Sequence, residues 1–403
     1  MNGPVAARSL LATADTDPYP YFEELRGQGP LVWDETMKAW LVVSYELCKY
    51  IETREDLFRH PYVDVPPTLI EIKGGRRNVT ILHGDEHLKM HRFMLKLFAY
   101  GPVESYRRDH IRPVLDFLLE RLAKQEHVDL AADFSDQFAT RVISSLFGMP
   151  WRDDALMARQ RELSQIVFDW IGAVDRSEAG TARAIEASRA LNEMLLPFVR
   201  DRRDNPGDDI ISRVWAEGPA ALDDMQEEDV LVTCRELYFA GSDTTSYALA
   251  NALYMLLTDD SVRAAVIADR GATLDNFVEE ALRLYGSVQY RFRLTNQEIE
   301  VGGITMPKDT LLVPINSAAN RDPEKYACPA HIDLKRPMAK SHLAFNLGPR
   351  SCIGAALARA EMRDAIDVLL DRLPNLRLDP DATPPRFRNL YLRSYRPLNV
   401  RFG

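Results

Sequence analysis

The feature that constrains this chain most is a ten-residue segment, Phe-Asn-Leu-Gly-Pro-Arg-Ser-Cys-Ile-Gly, at residues 345–354. Its one cysteine, Cys352, stands between two glycines and directly before residues 355–373, a run of good helix formers. Arg350 lies two residues upstream, and both a cationic neighbour and a helix N-terminus favour the thiolate over the thiol. The segment therefore predicts a tight turn that presents an anionic sulfur at the start of a helix.

A thiolate in such a turn suits a soft or borderline metal, and haem iron is one of the few that takes a single protein sulfur. The alternative interpretation is an ordinary buried cysteine. The whole segment resembles the cysteine-ligand loop of the cytochrome P-450 family, the haem-thiolate monooxygenases, in the positions of Phe345, Gly348, Arg350, Cys352 and Gly354. Asn346 stands where the family more often has glycine or serine. Because asparagine tolerates positive φ better than other non-glycine residues, we expect the turn to survive this change.

Composition excludes several classes of protein. The chain has 403 residues, 46% hydrophobic and 27% charged, which is enough for a large core, and its net charge of −10 argues against general nucleic-acid binding. The four cysteines have no CxxC spacing, which argues against a disulfide framework or a zinc site. No window approaches the ~20 apolar residues that span a bilayer, and we find no convincing signal peptide. We therefore expect a soluble, cytoplasmic protein, as in the soluble bacterial branch of the family.

Apolar residues recur at helical spacing along most of the chain. This spacing predicts helices over residues 19–26, 85–97, 105–122, 134–146, 154–174, 183–203 and 273–285, and one long helix from Asp223 and Asp224 to about Thr258. Strand patterns cover residues 31–33, 39–44, 298–301, 310–315 and 388–402. The sequence thus predicts a mainly α fold with a small β region, as a single domain over residues 1–403. The resemblance implies the cytochrome P-450 fold, with a long central helix over the haem.

The predicted long helix contains the sequence Ala-Gly-Ser-Asp-Thr-Thr at residues 240–245. Glycine, an acid and hydroxyls weaken a helix, and a hydroxyl that bonds the carbonyl four residues earlier bends it. One interpretation is a packing kink. The other is a resemblance to the family's oxygen-activation motif, Ala/Gly-Gly-x-Asp/Glu-Thr. It implies that Gly241 leaves room for dioxygen, that Thr244 hydrogen-bonds the dioxygen under reduction, and that Asp243 relays protons.

Two charged residues, Glu280 and Arg283, are spaced (i, i+3) on a predicted helix and so share a face. Alone, this pattern is usually a solvated pair. Arg336 follows about fifty residues later, before the cysteine loop, and the three together resemble the Glu-Arg-Arg network that braces the haem-binding core in the family. The resemblance implies that Glu280 lies between the two arginines. We assign these residues a structural role, since buried charges must be paired.

A haem brings two propionates, and the resemblance nominates His87, His91, Arg293 and Arg350 as their partners. His87 and His91 are spaced (i, i+4), so both can face one ligand. The family usually has arginine at the position of His91, and here Arg92 stands next to it as an alternative contact. Zinc is the alternative ligand for the two histidines, but no third ligand is evident.

Arg293 matches the family's propionate-binding arginine, and Arg291, two residues earlier, is the competing candidate. His342, three residues before Phe345, is expected to pack near the haem edge. We infer a small hydrophobic substrate from the mixture of aliphatic and aromatic residues in the segments that line the pocket in relatives.

The sequence has no flavin- or nicotinamide-binding motif and no iron–sulfur cysteine spacing, so electrons must come from another protein. The resemblance implies a ferredoxin, reduced by a flavoprotein reductase, and a monomeric enzyme. A basic docking patch is predicted from Lys89, Lys96, Arg107, Arg108, Arg359 and Arg363. A peroxygenase and a non-catalytic haem-thiolate sensor are the alternative functions. Neither needs the acid–alcohol pair Asp243 and Thr244.

Overall fold

A computed structural model of the chain describes residues 3–61, 66–172, 177–337 and 339–402. Helix dominates, as the sequence predicts. The α-helices are Tyr19–Gln28, Tyr45–Thr53, Pro67–Ile72, Gly84–Leu97, Tyr100–Tyr106, Arg112–Leu122, Asp136–Leu146, Asp154–Gly172, Glu178–Asp204, Ile210–Glu217, Glu227–Ala240, Asp243–Thr258, Asp260–Ala268, Arg270–Tyr285, Asn316–Ala319 and Ala355–Arg372. Short 3₁₀ segments cover Leu10–Thr13, Gly218–Ala220, Ala339–Ser341 and Gly348–Arg350, and π-helical segments cover Arg107–Ile111 and Leu130–Ser135.

The β structure consists of short strands, Leu31–Asp34, Ala39–Val42, Phe58–Arg59, His127–Asp129, Arg293–Thr295, Ile299–Val301, Ile304–Met306, Leu311–Pro314, Arg377–Leu378, Arg386–Arg388, Ser394–Arg396 and Asn399–Arg401. Contacts group the chain into two compact units, which are described in turn. The first unit comprises Met1–Pro61, Tyr247–Cys352 and Arg377–Asn399, and the second comprises Tyr62–Ser246, Ile353–Leu376 and Val400–Gly403. Within the described residues, no helix is long and apolar enough to cross a membrane.

The first unit is built around a five-stranded sheet. Its strands lie in the order Leu31–Asp34, Ala39–Val42, Leu311–Pro314, Arg293–Thr295 and Phe58–Arg59. Arg293 stands opposite Leu312 in the antiparallel pair of the third and fourth strands of that order. Apolar side chains of the sheet, among them Trp40 and Leu312, share a core with Leu343, which immediately precedes the cysteine loop. The sheet therefore holds Arg293 rigidly, and packing extends from the sheet to the base of the loop.

The second unit is almost entirely helical. The helices Asp154–Gly172 and Glu227–Ala240 both pack against Glu178–Asp204. The rings of Phe168 and Phe239 stack with their centroids 4.1 Å apart. The helix predicted over residues 154–174 begins at the predicted residue, and its last two residues lie outside the described ranges.

The prediction of one long helix between residues 223 and 258 is wrong. The first helix begins at Glu227, where Gln226 and Asp229 form a capping box, and ends at Ala240. A turn at Gly241 and Ser242 follows, and a second helix runs from Asp243 to Thr258. Apolar periodicity continues on both sides of the turn, so the pattern alone did not reveal the break.

Candidate functional site

The loop that carries Cys352 is closed by its own backbone. The amide of Cys352 donates to the carbonyl of Phe345 at 2.8 Å, and the side-chain amide of Asn346 donates to the backbone carbonyl four residues later at 3.1 Å. Asn346 has a φ of +60°, which confirms the expectation that asparagine supports this turn. Gly348 has a φ of +69°, and a Cβ there would lie 2.9 Å from the Cα of Thr53. Only glycine therefore fits at this position of the loop.

The thiol of Cys352 is exposed, and the helix Ala355–Arg372 begins three residues after it. Arg350, the predicted cationic neighbour, forms an ion pair with Glu55: its Nε and Nη2 lie 2.7 and 2.6 Å from Oε1 of the carboxylate. The charge of Arg350 is therefore already balanced in part. The start of the helix is the remaining local feature that favours the thiolate.

Three arginines of the first unit, Arg291, Arg293 and Arg350, lie close enough for their charges to interact. Arg293 is 3% exposed, and burial lowers its pKa to about 10 although the nearby carboxyl of Glu52 opposes this shift. Burial also raises the pKa of Glu52, against the effect of Arg291 and Arg293. A group of arginines beside a carboxyl that burial drives toward its neutral form favours an added anion. Arg291 is half-buried and stays a candidate beside Arg293.

Glu280 lies between Arg283 and Arg336 in the first unit. Nε and Nη2 of Arg283 donate to the two carboxylate oxygens at 2.7 and 2.8 Å, and Nε of Arg336 donates to Oε1 at 3.0 Å. The amide of Asp333 donates to Oε2 at 2.9 Å. Burial alone would raise the pKa of Glu280, but the hydrogen bonds and charges of its partners hold the pKa below its ordinary value. The three side chains are buried and fully paired, as a structural network requires.

The residue next to this network, Glu279, makes a contact that the sequence did not indicate. Its Oε2 lies 3.0 Å from Nε2 of His342, and both side chains are buried. The amide of Ala344 donates to Nδ1 of His342 at 3.2 Å, so Nδ1 is the acceptor and the N–H at Nε2 donates to Glu279. The ring of His342 lies 5.9 Å from that of Phe345. Glu279 thus anchors the entry of the cysteine loop.

Residues 240–245 of the second unit, which include Asp243 and Thr244, lie at the helix break. Oγ1 of Thr244 donates to the carbonyl of Ala240 at 2.7 Å, the back-bond that the sequence predicts for a bent helix. Asp243 is 2% exposed. A Cβ on Gly241 would lie 3.0 Å from Cδ1 of Ile143, so a larger residue here would press against that side chain.

Two further contacts of this segment carry no signal in the sequence. Ser242 is hydrogen-bonded to Gln160 and Ser246 to Asp136, partners that are 82 and 110 residues apart. Neither Gln160 nor Asp136 belongs to a recognisable motif, and only the packing of the helices brings them to the break.

The two histidines on the helix Gly84–Leu97 lie side by side. His87 and His91 are 2% and 8% exposed, and their ring centroids are 5.4 Å apart, so both can face one ligand. Arg92, the alternative contact, is exposed on the other side of this helix. Among the described residues, no group of three or more His, Cys, Asp or Glu side chains is arranged to hold a metal ion.

Comparisons with known proteins agree over nearly the whole chain. The family model described as "Cytochrome P450" matches residues 19–389. "Pulcherriminic acid synthase" of Bacillus subtilis (strain 168) is 29% identical over 384 residues, which cover 91% of this chain and 90% of that protein. "Cytochrome P450 monooxygenase PikC" of Streptomyces venezuelae is 30% identical over 373 residues, covering 90% and 85%. In fold, the chain is similar to the solved structure of cytochrome P450 CREJ in complex with (4-ethylphenyl) dihydrogen phosphate, with a TM-score of 0.87, 21% identity and coverage of 99% and 100%.

Proposed function

The chain belongs to the cytochrome P450 family, and on that premise we propose that it inserts one atom of dioxygen into a small hydrophobic organic molecule. As a member of that family it is an oxidoreductase with haem b as its cofactor and dioxygen as its co-substrate. Two electrons and two protons are consumed in such a reaction, one oxygen atom enters the substrate, and the other leaves as water. The observation that carries the proposal is the closed loop that holds Cys352 with its thiol exposed.

The donors of the chain fit a haem. Cys352 would hold the haem iron through its sulfur, and a thiolate ligand would supply the electron density that favours O–O cleavage. Arg293 is a buried cation whose side chain donates to the carbonyl of its neighbour Phe292 at 2.8 Å, so a propionate would compensate its charge. Arg350 already forms an ion pair with Glu55, so we assign it a weaker propionate contact than that of Arg293.

We assign the other haem contacts to His87, His91 and Gly241. The buried position of His91, against the exposed position of Arg92, favours His91 as the residue that replaces the family's arginine. An imidazole lacks the planar fork by which arginine donates two hydrogen bonds to a carboxylate, so this propionate contact is expected to be weaker than one made by arginine.

Asp243 and Thr244 are the proposed catalytic pair. Thr244 holds its hydroxyl at the helix break through the bond to the carbonyl of Ala240, and the same oxygen is free to accept a proton-donating water. Asp243 is buried next to it, where a carboxyl exchanges protons between solvent and the site. The role of the pair is to supply the two protons that turn one oxygen atom into water.

Thr244→Ala is expected to leave haem uptake intact and to divert electrons to peroxide. When the second proton does not reach the outer oxygen atom, dioxygen that has taken up two electrons and two protons, one on each oxygen, leaves as hydrogen peroxide. We expect peroxide released per NADH consumed, measured with a surrogate ferredoxin and reductase, to rise at least about twofold. Thr244→Ser keeps the hydroxyl and is expected to behave like the wild type. Equal peroxide yields from wild type and the alanine variant would refute the role of Thr244.

The proposed electron donor is a small acidic ferredoxin, itself reduced by a flavoprotein. The predicted docking patch needs revision, because Arg107 is paired with Glu104 and Asp364, and Arg108 with Asp109. One exposed face of the helix Gly84–Leu97 is a better candidate. It carries the cations Lys89, Arg92 and Lys96 together with the exposed apolar side chains of Leu88 and Leu95.

None of these three cations has an ion pair within the described part of the chain, so their charges are available to a partner. Cationic groups around a small apolar centre suit an acidic protein surface, because charge steers the encounter and apolar contacts hold the complex. The presence of exposed leucines on this helix supports docking over a merely solvated face.

Charge reversal on this face is expected to slow reduction by the ferredoxin. For Lys89→Glu combined with Lys96→Glu, we expect the second-order rate of ferredoxin-driven reduction at low ionic strength to fall at least about tenfold. Reduction by dithionite should not change. Lys308→Glu, an exposed lysine outside this face, is the matched control. An unchanged rate in the double variant would place the docking surface elsewhere.

The remaining parts of the proposal are the class of substrate, the cellular compartment and the oligomeric state. The stacked aromatic rings of Phe168 and Phe239, next to the helix break, support a hydrophobic substrate. None of the four cysteines forms a disulfide, which supports a reducing, cytoplasmic setting, and we propose a monomer. A library of hydrophobic compounds, screened for the spectral change when a ligand displaces water from the iron, tests the substrate class. Turnover of one such compound with NADH and surrogate redox proteins, and its absence without them, tests the reaction.

A further inference from the structure

We propose that Ser242 and Ser246 are positioning residues for oxygen activation, because their hydroxyls attach both ends of the segment that carries Asp243 and Thr244 to neighbouring helices. The two contacts, Gln160–Ser242 and Asp136–Ser246, are called the serine anchors below. The inference rests on the proposed roles of Asp243 and Thr244, which lie between the two serines in the chain. All residues of the anchors belong to the second unit.

The first anchor has a defined direction. The hydroxyl of Ser242 donates to the carbonyl of Phe239 at 3.1 Å, so its oxygen accepts from Nε2 of Gln160, also at 3.1 Å. The same Nε2 donates to Oγ of Ser164 at 3.0 Å. Gln160 and Ser242 are both 0% exposed, so no water competes for these bonds. The helix Asp154–Gly172 thus holds the residue just before Asp243.

The second anchor is charged. The hydroxyl of Ser246 donates to Oδ1 of Asp136, and Nη2 of Arg161 donates to Oδ2 of the same carboxylate. Asp136 and Ser246 are each 1% exposed, whereas the side chain of Arg161 is 26% exposed. A buried carboxylate needs such a cationic partner, and a hydrogen bond to an ionised group is stronger than a neutral one. Asp136 begins the helix Asp136–Leu146, so a second helix holds the residue that follows Thr245.

The position of the anchors matters because the helix is interrupted directly before Asp243. Gly241 and Ser242 form a turn between two helices, and Thr244 gives its hydroxyl to the carbonyl of Ala240. The bond from the amide of Ser246 to the carbonyl of Ser242, 3.1 Å long, spans the acid–alcohol pair. With both serines attached to neighbouring helices, the pair is held at a fixed place. Proton transfer depends steeply on such placement, since a shift of about 1 Å can cost on the order of a hundredfold in rate.

The test uses three mild variants of the holoenzyme: Ser242→Ala, Ser246→Ala and, as the matched control, Ser144→Ala. Ser144 is also a buried serine bonded to a neighbouring helix, with its Oγ 2.8 Å from the hydroxyl of Tyr238, but its hydrogen-bond partners, Thr140, Met157 and Tyr238, lie outside residues 241–246. Two measurements are made on each variant. One is amide hydrogen exchange of peptides that cover residues 241–250, and the other is hydrogen peroxide released per NADH consumed, with surrogate redox proteins and a hydrophobic compound that the wild type oxidises.

We expect both anchor variants to exchange amides 241–246 at least about fivefold faster, which is the effect of losing one hydrogen bond of ordinary strength. We expect their peroxide yield per NADH to rise at least about twofold at unchanged haem content. Ser144→Ala should match the wild type in both measurements. Faster exchange with an unchanged peroxide yield, or loss of haem from the anchor variants, would overturn the positioning role.

Thr244→Ala in the same assay separates this inference from the proposed function. A higher peroxide yield in Thr244→Ala, with wild-type behaviour of both anchor variants, would reject the anchors and keep the catalytic pair. No effect of Thr244→Ala would reject the catalytic pair, and the anchors with it.

Discussion

Cys352→Ser is expected to abolish the Soret band of the ferrous carbon-monoxide complex at the position that marks thiolate ligation, and to lower monooxygenation at least about a thousandfold. An alcohol is a far weaker ligand than a thiolate and donates little electron density toward O–O cleavage. A thousandfold loss corresponds to about 4 kcal/mol of activation free energy. The measurements are the carbon-monoxide difference spectrum and product formation with surrogate redox proteins.

Cys328→Ser is the matched control. Cys328 is also an exposed cysteine of the first unit outside any disulfide, and its φ of +48° is no less favourable for serine than for cysteine. This variant should keep the spectrum and the activity of the wild type. A normal thiolate band in Cys352→Ser would show that another residue ligates the iron.

Glu280→Gln is expected to lower the free energy of unfolding on the order of 3–5 kcal/mol. Glutamine keeps the shape of the side chain but leaves the buried guanidinium groups of Arg283 and Arg336 without a counter-charge. Denaturant unfolding of the holoenzyme, followed by tryptophan fluorescence and by haem release, measures the loss. Because the pKa of Glu280 is lowered in the folded protein, its stabilisation is present at neutral pH and is lost as the pH falls through that lowered pKa. The difference between variant and wild type should therefore shrink in acid.

Glu162→Gln provides the comparison for that result. Arg159 and Glu162 form an exposed pair with the same three-residue spacing, and the donor–acceptor distance is 2.8 Å. An exposed pair contributes at most about 0.5 kcal/mol, so the free energy of unfolding of this variant should be close to that of the wild type. Equal losses from the buried and the exposed pair would contradict the structural role of the network.

Residues that are close together in the sequence were sufficient to predict the turn of the cysteine loop. Its turn depends on residues that are neighbours in the chain, and asparagine supports positive φ at position 346 as its chemistry predicts. The same holds for the Thr244 back-bond, since a hydroxyl reaches the carbonyl four residues earlier without help from the rest of the fold. The mainly helical class followed from apolar periodicity in the same way.

The helix break and the ion pair of Arg350, which the sequence did not reveal, both involve partners that are distant in the chain. At the break, Ile143 leaves little room for a side chain at position 241, and Gln160 donates to Ser242; these neighbours lie 98 and 82 residues earlier in the chain. Glu55 balances the charge of Arg350 across 295 residues of sequence. Such pairs form no recognisable motif, because their members are far apart in the sequence and each residue type is common elsewhere.

The role of Glu279 was likewise not predictable from the sequence, although its neighbour Glu280 was identified from a motif. It adjoins Glu280 and has the same side chain, but only Glu280 belongs to a spaced motif. The partner of Glu279 is His342, 63 residues away, and the pair joins the helix Arg270–Tyr285 to the entry of the cysteine loop. Adjacent carboxylates therefore hold two different parts of the first unit.

The most direct test of the account is the absorption spectrum of the purified wild-type protein, expressed with ample haem precursor, reduced, and saturated with carbon monoxide. A bond between the sulfur of Cys352 and haem iron predicts a stoichiometric Soret band at the thiolate position, and its loss in Cys352→Ser but not in Cys328→Ser. A colourless protein, or a band at the position given by histidine or neutral thiol ligation, would contradict the account.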